Sequence, residues 1–170
     1  PVIEDQGRVP AESGAILDSL VERHGQGRLR PPADSEQRLR YLYWMHYAEG
    51  SAMPPLLMKL VFDRIGRAPM PFFAKPIAKS IVGNVLRTFV LPQLKQHLDF
   101  MEGELGKGTW FAGEEFSAAD IQMSFPLEAA QARAGLDERY PKLTDWLARI
   151  HARPAYQRAL ARGGPYQILD

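Results

Sequence analysis

Leu17, Leu20, Val21 and His24 stand at i, i+3, i+4 and i+7, and this spacing predicts a helix over residues 12–24, ended by Gly25 and Gly27. Ahead of it, PVIEDQGRVP is too short for a helix and predicts two extended runs around a Gln6-Gly7 turn, a tight β-hairpin. GQGRLRPPAD, rich in Gly, Pro and Arg, breaks the pattern and predicts a linker over 28–34. From residue 35 the chain is helical in pattern. SEQRLRYLYWMHYAEG is apolar almost all round, which predicts a helix packed on more than one side. The prolines in 50–55 are expected to interrupt it, with a second segment over 56–65. A long stretch over 74–105 carries Leu94, Leu98, Met101 and Leu105 at i, i+4, i+7 and i+11, with a kink expected at Pro92. A further helix runs from FSAADI to about residue 134 with Pro126 inside it. Leu143, Trp146, Leu147 and Ile150 mark another, and Pro154 can start a last short one.

Composition adds constraints. The 170 residues are 45% hydrophobic and 24% charged, enough for one sizeable core or two small ones. Lys and Arg number 21 against 20 Asp and Glu, so the overall charge gives no reason to expect a nucleic-acid or anionic-membrane partner. Without cysteine, the sequence has no disulfide, thiolate metal site or CxxC centre. His24, His46, His97 and His151 lack metal-ligand spacing, and no metal is expected. No apolar run reaches the roughly 18 residues of a membrane span, and no signal-peptide pattern opens the chain. A soluble, cytoplasmic protein is the expectation. The opening VIED looks like a strand already under way, which implies that part of a mixed α/β unit lies upstream.

Two clusters carry candidate chemistry. Glu12 and Ser13 stand side by side where the first helix begins. A carboxylate there can pair with an ammonium, while a hydroxyl and the free amides of a helix start can hold a carboxylate, so the pair suits a ligand bearing both charges on one carbon. Ordinary capping competes with this reading: Ser13 would cap the helix and Glu12 would favour its dipole. Ser117 and Asp120, three apart before an apolar run, are a capping box and are read as structural.

Together, PVIED, AESGAILDSL, YAEGSAMPPLL and FSAADI, in this order, resemble the glutathione S-transferase family, in particular a bacterial and fungal subgroup, without the first part of its thioredoxin-like domain. The resemblance implies a mainly α fold: an all-helical C-terminal domain over 35–170, the linker 28–34, and over 1–27 the end of a thioredoxin-like α/β domain, a β-hairpin plus helix. It implies that Glu12 and Ser13 bind the γ-glutamyl ammonium and carboxylate of glutathione as co-substrate, and that Pro1 corresponds to the family's cis-proline. The family's thiol-activating Ser, Tyr or Cys precedes Pro1 by this likeness, so no catalytic residue is assigned in this chain.

The implied function is transfer of the glutathione thiolate to hydrophobic electrophiles or peroxides in detoxification, by a cytoplasmic homodimer. An electrophile pocket is expected from Tyr43, His46, Tyr47 and Met53, because Tyr43, His46, Tyr47 and Gly50 share one helical stripe and Gly50 leaves room. The alternative is a non-catalytic binding or assembly module of the same fold.

Overall fold

Proline placement decides where the chain is regular. The computed structural model describes residues 1–164. At the start, Gln6 and Gly7 form the expected tight turn, with φ of 53° and 78°. Asp5 and Arg8 exchange N–H···O bonds of 2.9 and 3.2 Å across it. The expected β-hairpin nevertheless does not form. This segment holds two isolated antiparallel bridges, Asp5 with Arg8 and Val2 with Ala11, and no strand occurs among the described residues. The cause lies at Pro10: its carbonyl accepts from the Ile3 amide at 3.2 Å, but it has no N–H to return the bond, so the ladder fails midway. Pro1 is exposed at the head of this segment, and the described residues contain no cis peptide bond.

The segment is tied to α1 (Ser13–His24) by its far end. Arg23 donates to the Asp5 carboxylate at 2.6 Å, to the Asp5 carbonyl at 3.0 Å and to Gln6 Oε1 at 2.7 Å. His24 Nε2 lies 2.9 Å from the same carboxylate. The His24 bond and the Arg23 charge hold the Asp5 carboxyl below its usual range.

Two long helical runs follow. The first joins α2 (Glu36–Tyr47) to α3 (Met53–Arg67), and the second joins α4 (Lys75–Val85) to α5 (Leu91–Glu104). The interruption expected over 50–55 is not a break. The chain passes through a π-helical turn, Ala48–Ala52, in which the Met53 amide bonds the Ala48 carbonyl five residues back. Pro54 and Pro55 then fall in the first turn of α3, where a missing N–H costs no helical bond. Pro92 is accommodated in the same way behind a second π-helical turn, Leu86–Val90.

The central element is α6 (Ala118–Arg133), whose Ala118, Ala119, Asp120, Met123 and Leu127 are fully buried. Tyr41 and Trp44 of α2 and Leu143 and Trp146 of α7 (Pro141–Ala152) close around it, and α8 (Pro154–Gly163) packs outside α7. At its start the capping box closes. Asp120 Oδ2 accepts from the Ser117 amide at 2.9 Å and the Ser117 hydroxyl at 3.1 Å. Asp120 Oδ1 accepts from the Phe111 amide at 3.0 Å and the Trp146 indole at 3.3 Å. Burial pushes this carboxyl up, and the four donors oppose that push. The Leu29 carbonyl accepts from the Ala118 amide at 2.8 Å, so the segment before α2 is docked onto the same helix start. Pro126 sits inside α6 without ending it. Having no N–H, it leaves the Gln122 carbonyl, four residues back, without its helical donor. No helix of the described residues is long and apolar enough to cross a membrane.

Candidate functional site

Glu12 is the residue flanking α1, and its backbone stands at φ 72°, ψ 129°, outside the regions that side chains other than glycine occupy freely. Such a conformation costs about 1–3 kcal/mol and is kept only where the surroundings impose it. Its carboxylate is exposed, does not cap the helix, and makes no ion pair or hydrogen bond among the described residues. Ser13 is the first helical residue rather than the cap. The amides of Ser13, Gly14 and Ala15 open α1 ahead of the first intrahelical bond, from the Ile16 amide to the Glu12 carbonyl at 2.9 Å.

The Ser13 hydroxyl reaches across the molecule. It donates to Glu49 Oε1 at 3.1 Å, on the π-helical turn after α2, and accepts from Gln122 Nε2 of α6 at 3.0 Å. The same Gln122 nitrogen donates to Glu49 Oε1 at 3.2 Å, closing a triangle. Gln122 is buried, 4% exposed, whereas Glu49 is open to solvent. Ser13 thus joins the open amides of a helix start to the Glu49 carboxylate, with Glu12 next to it in the chain, and neither carboxylate has an ion-pair partner among the described residues.

Neither Glu49 nor Gln122 emerges from the sequence reading. Glu49 lies in a segment where the prolines and Gly50 draw attention to an interruption, and Gln122 sits beside a capping box that already explains its neighbours. The available signal was a glutamine at a position whose flanking residues are all apolar or structural.

Tyr43 and Tyr47 come together, with ring centroids 5.5 Å apart and stacked, but against α5. The Tyr47 hydroxyl is 2.5 Å from His97 Nδ1, and both tyrosine rings meet Phe100. Tyr47 is buried and Tyr43 is 47% exposed. His46 is exposed, and Met53 packs against the core. Two cavities lie elsewhere: one of about 750 Å³ between residues 27–37, residues 112–117 and Arg153, and an open one of about 590 Å³ beside residues 105–109 and α7. No group of three metal-ligating side chains occurs among the described residues.

Burial pushes the Tyr47 phenol up and the His97 imidazole below its ordinary 6.5, which favours a neutral ring sharing one hydrogen bond with the phenol hydroxyl. The unfolded chain takes up a proton on His97 near pH 6.5, and the folded chain only at lower pH. Stability from this pair is therefore complete above about pH 6.5 and lost as pH falls from there toward the folded value. Urea unfolding should show a larger loss between pH 7.5 and 5.5 in the wild type than in His97→Gln; equal losses would remove His97 from the account.

Residues 84–149 match the domain family described as glutathione S-transferase, C-terminal domain. Glutathione S-transferase 3 of Schizosaccharomyces pombe is 32% identical over 155 residues, covering 91% of this chain and 64% of that protein. The chain therefore spans a little under two thirds of that relative's length. Among solved structures, a glutathione S-transferase from Actinobacillus pleuropneumoniae superposes with a TM-score of 0.75 at 26% identity, over 95% of this chain and 67% of that one. A sphingomonad glutathione S-transferase in complex with glutathione gives 0.68 at 26% identity, over 98% and 74%. Residues 84–149 carry the glutathione S-transferase C-terminal domain, and over most of its length the chain is similar to glutathione S-transferases in sequence and in fold.

Proposed function

We propose that this chain supplies the γ-glutamyl subsite of a glutathione-binding site, in a glutathione transferase that directs the glutathione thiolate at hydrophobic electrophiles or peroxides. The observation that carries the reading is the strained backbone of Glu12, with an exposed carboxylate that caps nothing, beside Ser13 and the open amides of α1. A helix start needs no such strain, and side chains held in sparsely populated conformations gather at ligand clamps. In this reading Glu12 pairs with the ligand's ammonium, and the Ser13 hydroxyl and α1 amides hold its carboxylate. The chain's own part in the reaction is to bind and orient the co-substrate. The exposed Tyr43 ring stacked on Tyr47, with His46 and Met53 further along the same run, is assigned to the electrophile side. Calorimetric titration with glutathione tests the reading: the wild type should bind and the Glu12→Ala, Ser13→Ala double variant should not, whereas equal binding would overturn it.

A homodimer is part of the proposal. Leu57, Val61 and Ile65 form an exposed stripe on α3, and Ile77 and Ile81 another on α4, with Phe72 and Phe73 at the turn between them 85% and 67% exposed. Apolar surface of this kind suits a second copy of the chain. Sedimentation of a Val61→Glu, Ile77→Glu variant should report a monomer where the wild type reports a dimer; an unchanged sedimentation coefficient would remove this face from the interface.

A further inference from the structure

We propose that Glu49, from the helical part of the chain, is a second carboxylate of the γ-glutamyl subsite and makes the site selective for a free α-amino group. This rests on the glutathione reading above. A hydroxyl has one proton to give, and that of Ser13 goes to Glu49 Oε1 at 3.1 Å, while its lone pair accepts from Gln122 at 3.0 Å. Ser13 therefore cannot donate to a ligand carboxylate without turning its proton away from Glu49. A bare anion arriving there would meet the Glu49 carboxylate, with Glu12 adjacent in the chain, and neither carboxylate is ion-paired among the described residues.

A zwitterion resolves the conflict. Its ammonium takes the acceptor site on Glu49 that the Ser13 proton leaves, and its carboxylate receives that proton's hydrogen bond together with the α1 amides. Gln122 keeps Glu49 in place throughout, because its Nε2 bonds Glu49 Oε1 at 3.2 Å from a buried position. Glu49 is exposed, so the ammonium can reach it from solvent.

The test uses two ligands: glutathione, and glutaryl-cysteinyl-glycine, which is glutathione without its α-amino group. Glu49→Gln keeps an oxygen to accept from Ser13 and Gln122 and removes only the charge. The expected result is about a tenfold loss of glutathione affinity with unchanged or tighter binding of the des-amino ligand, so that the preference for glutathione falls by at least tenfold. A merely structural Glu49 would weaken both ligands alike and leave their ratio as in the wild type, and that result would overturn the inference while leaving the Glu12 and Ser13 subsite standing. Failure of the wild type to bind glutathione would overturn the subsite itself. Thermal melts of the variant, expected at the wild-type midpoint, exclude misfolding as the cause of any loss.

Discussion

Asp120→Ala should lower the stability of the protein by about 3–5 kcal/mol, a fall in melting temperature of roughly 10 °C for a chain of this size. The substitution removes an acceptor from four donors at once, and two of them, the Phe111 amide and the Trp146 indole, are left buried with nothing to replace the carboxylate. It also undoes the cap on α6, the helix around which Tyr41, Trp44 and Trp146 pack. Asp120→Asn keeps the shape but turns an amide N–H toward existing donors, and should fall between the wild type and the alanine variant. Chemical denaturation of the three proteins checks the order; a melting temperature for Asp120→Ala within 2 °C of the wild type would show that burial cost and donor bonds cancel and that the box contributes nothing net.

Loss of the Glu12 and Ser13 side chains together should weaken glutathione binding by two orders of magnitude or more. A charge-assisted hydrogen bond to the ammonium contributes about 1.5–3 kcal/mol and the hydroxyl bond about 1 kcal/mol, and each 1.4 kcal/mol is tenfold in affinity. The same pair separates binding from capping. Removal of a true cap lowers stability by about 1 kcal/mol and leaves ligand affinity alone. Here neither side chain caps α1, and among the described residues the Ser13 hydroxyl bonds only Glu49 and Gln122, which also bond each other, so the double variant should melt within about 5 °C of the wild type while losing its ligand. The reverse outcome, a less stable protein with undiminished affinity, would return both residues to the helix.

The periodic helices were legible because each apolar stripe needs only local spacing. Leu94, Leu98 and Met101 are buried on α5, and Leu143, Trp146, Leu147 and Ile150 on α7, as their repeat implies. The capping box was legible for the same reason, since Ser117 and Asp120 lie three residues apart. The hairpin was misread because the turn signal at Gln6-Gly7 is strong, whereas the defect, one absent N–H at Pro10, appears only once the partner of that amide is identified. The prolines of 50–55 suggest an interruption and Pro92 a kink, whereas a π-helical turn stands before each and the helical run continues through both. Glu49 and Gln122 stand 36 and 109 residues from Ser13, and no spacing rule connects positions that only the packing of α1, α2 and α6 brings together.

Pro126 divides α6 into two parts that are held unequally. The end anchored by Asp120 is pinned from four directions, but the peptide carbonyl of Gln122 lacks the axial bond that stiffens its neighbours. The rod is thus compliant at the residue whose side chain spans the gap to Ser13 and Glu49. The bonds that Gln122 Nε2 makes to Ser13 at 3.0 Å and to Glu49 at 3.2 Å therefore brace this stretch of α6 from the side where its own backbone ladder is one bond short.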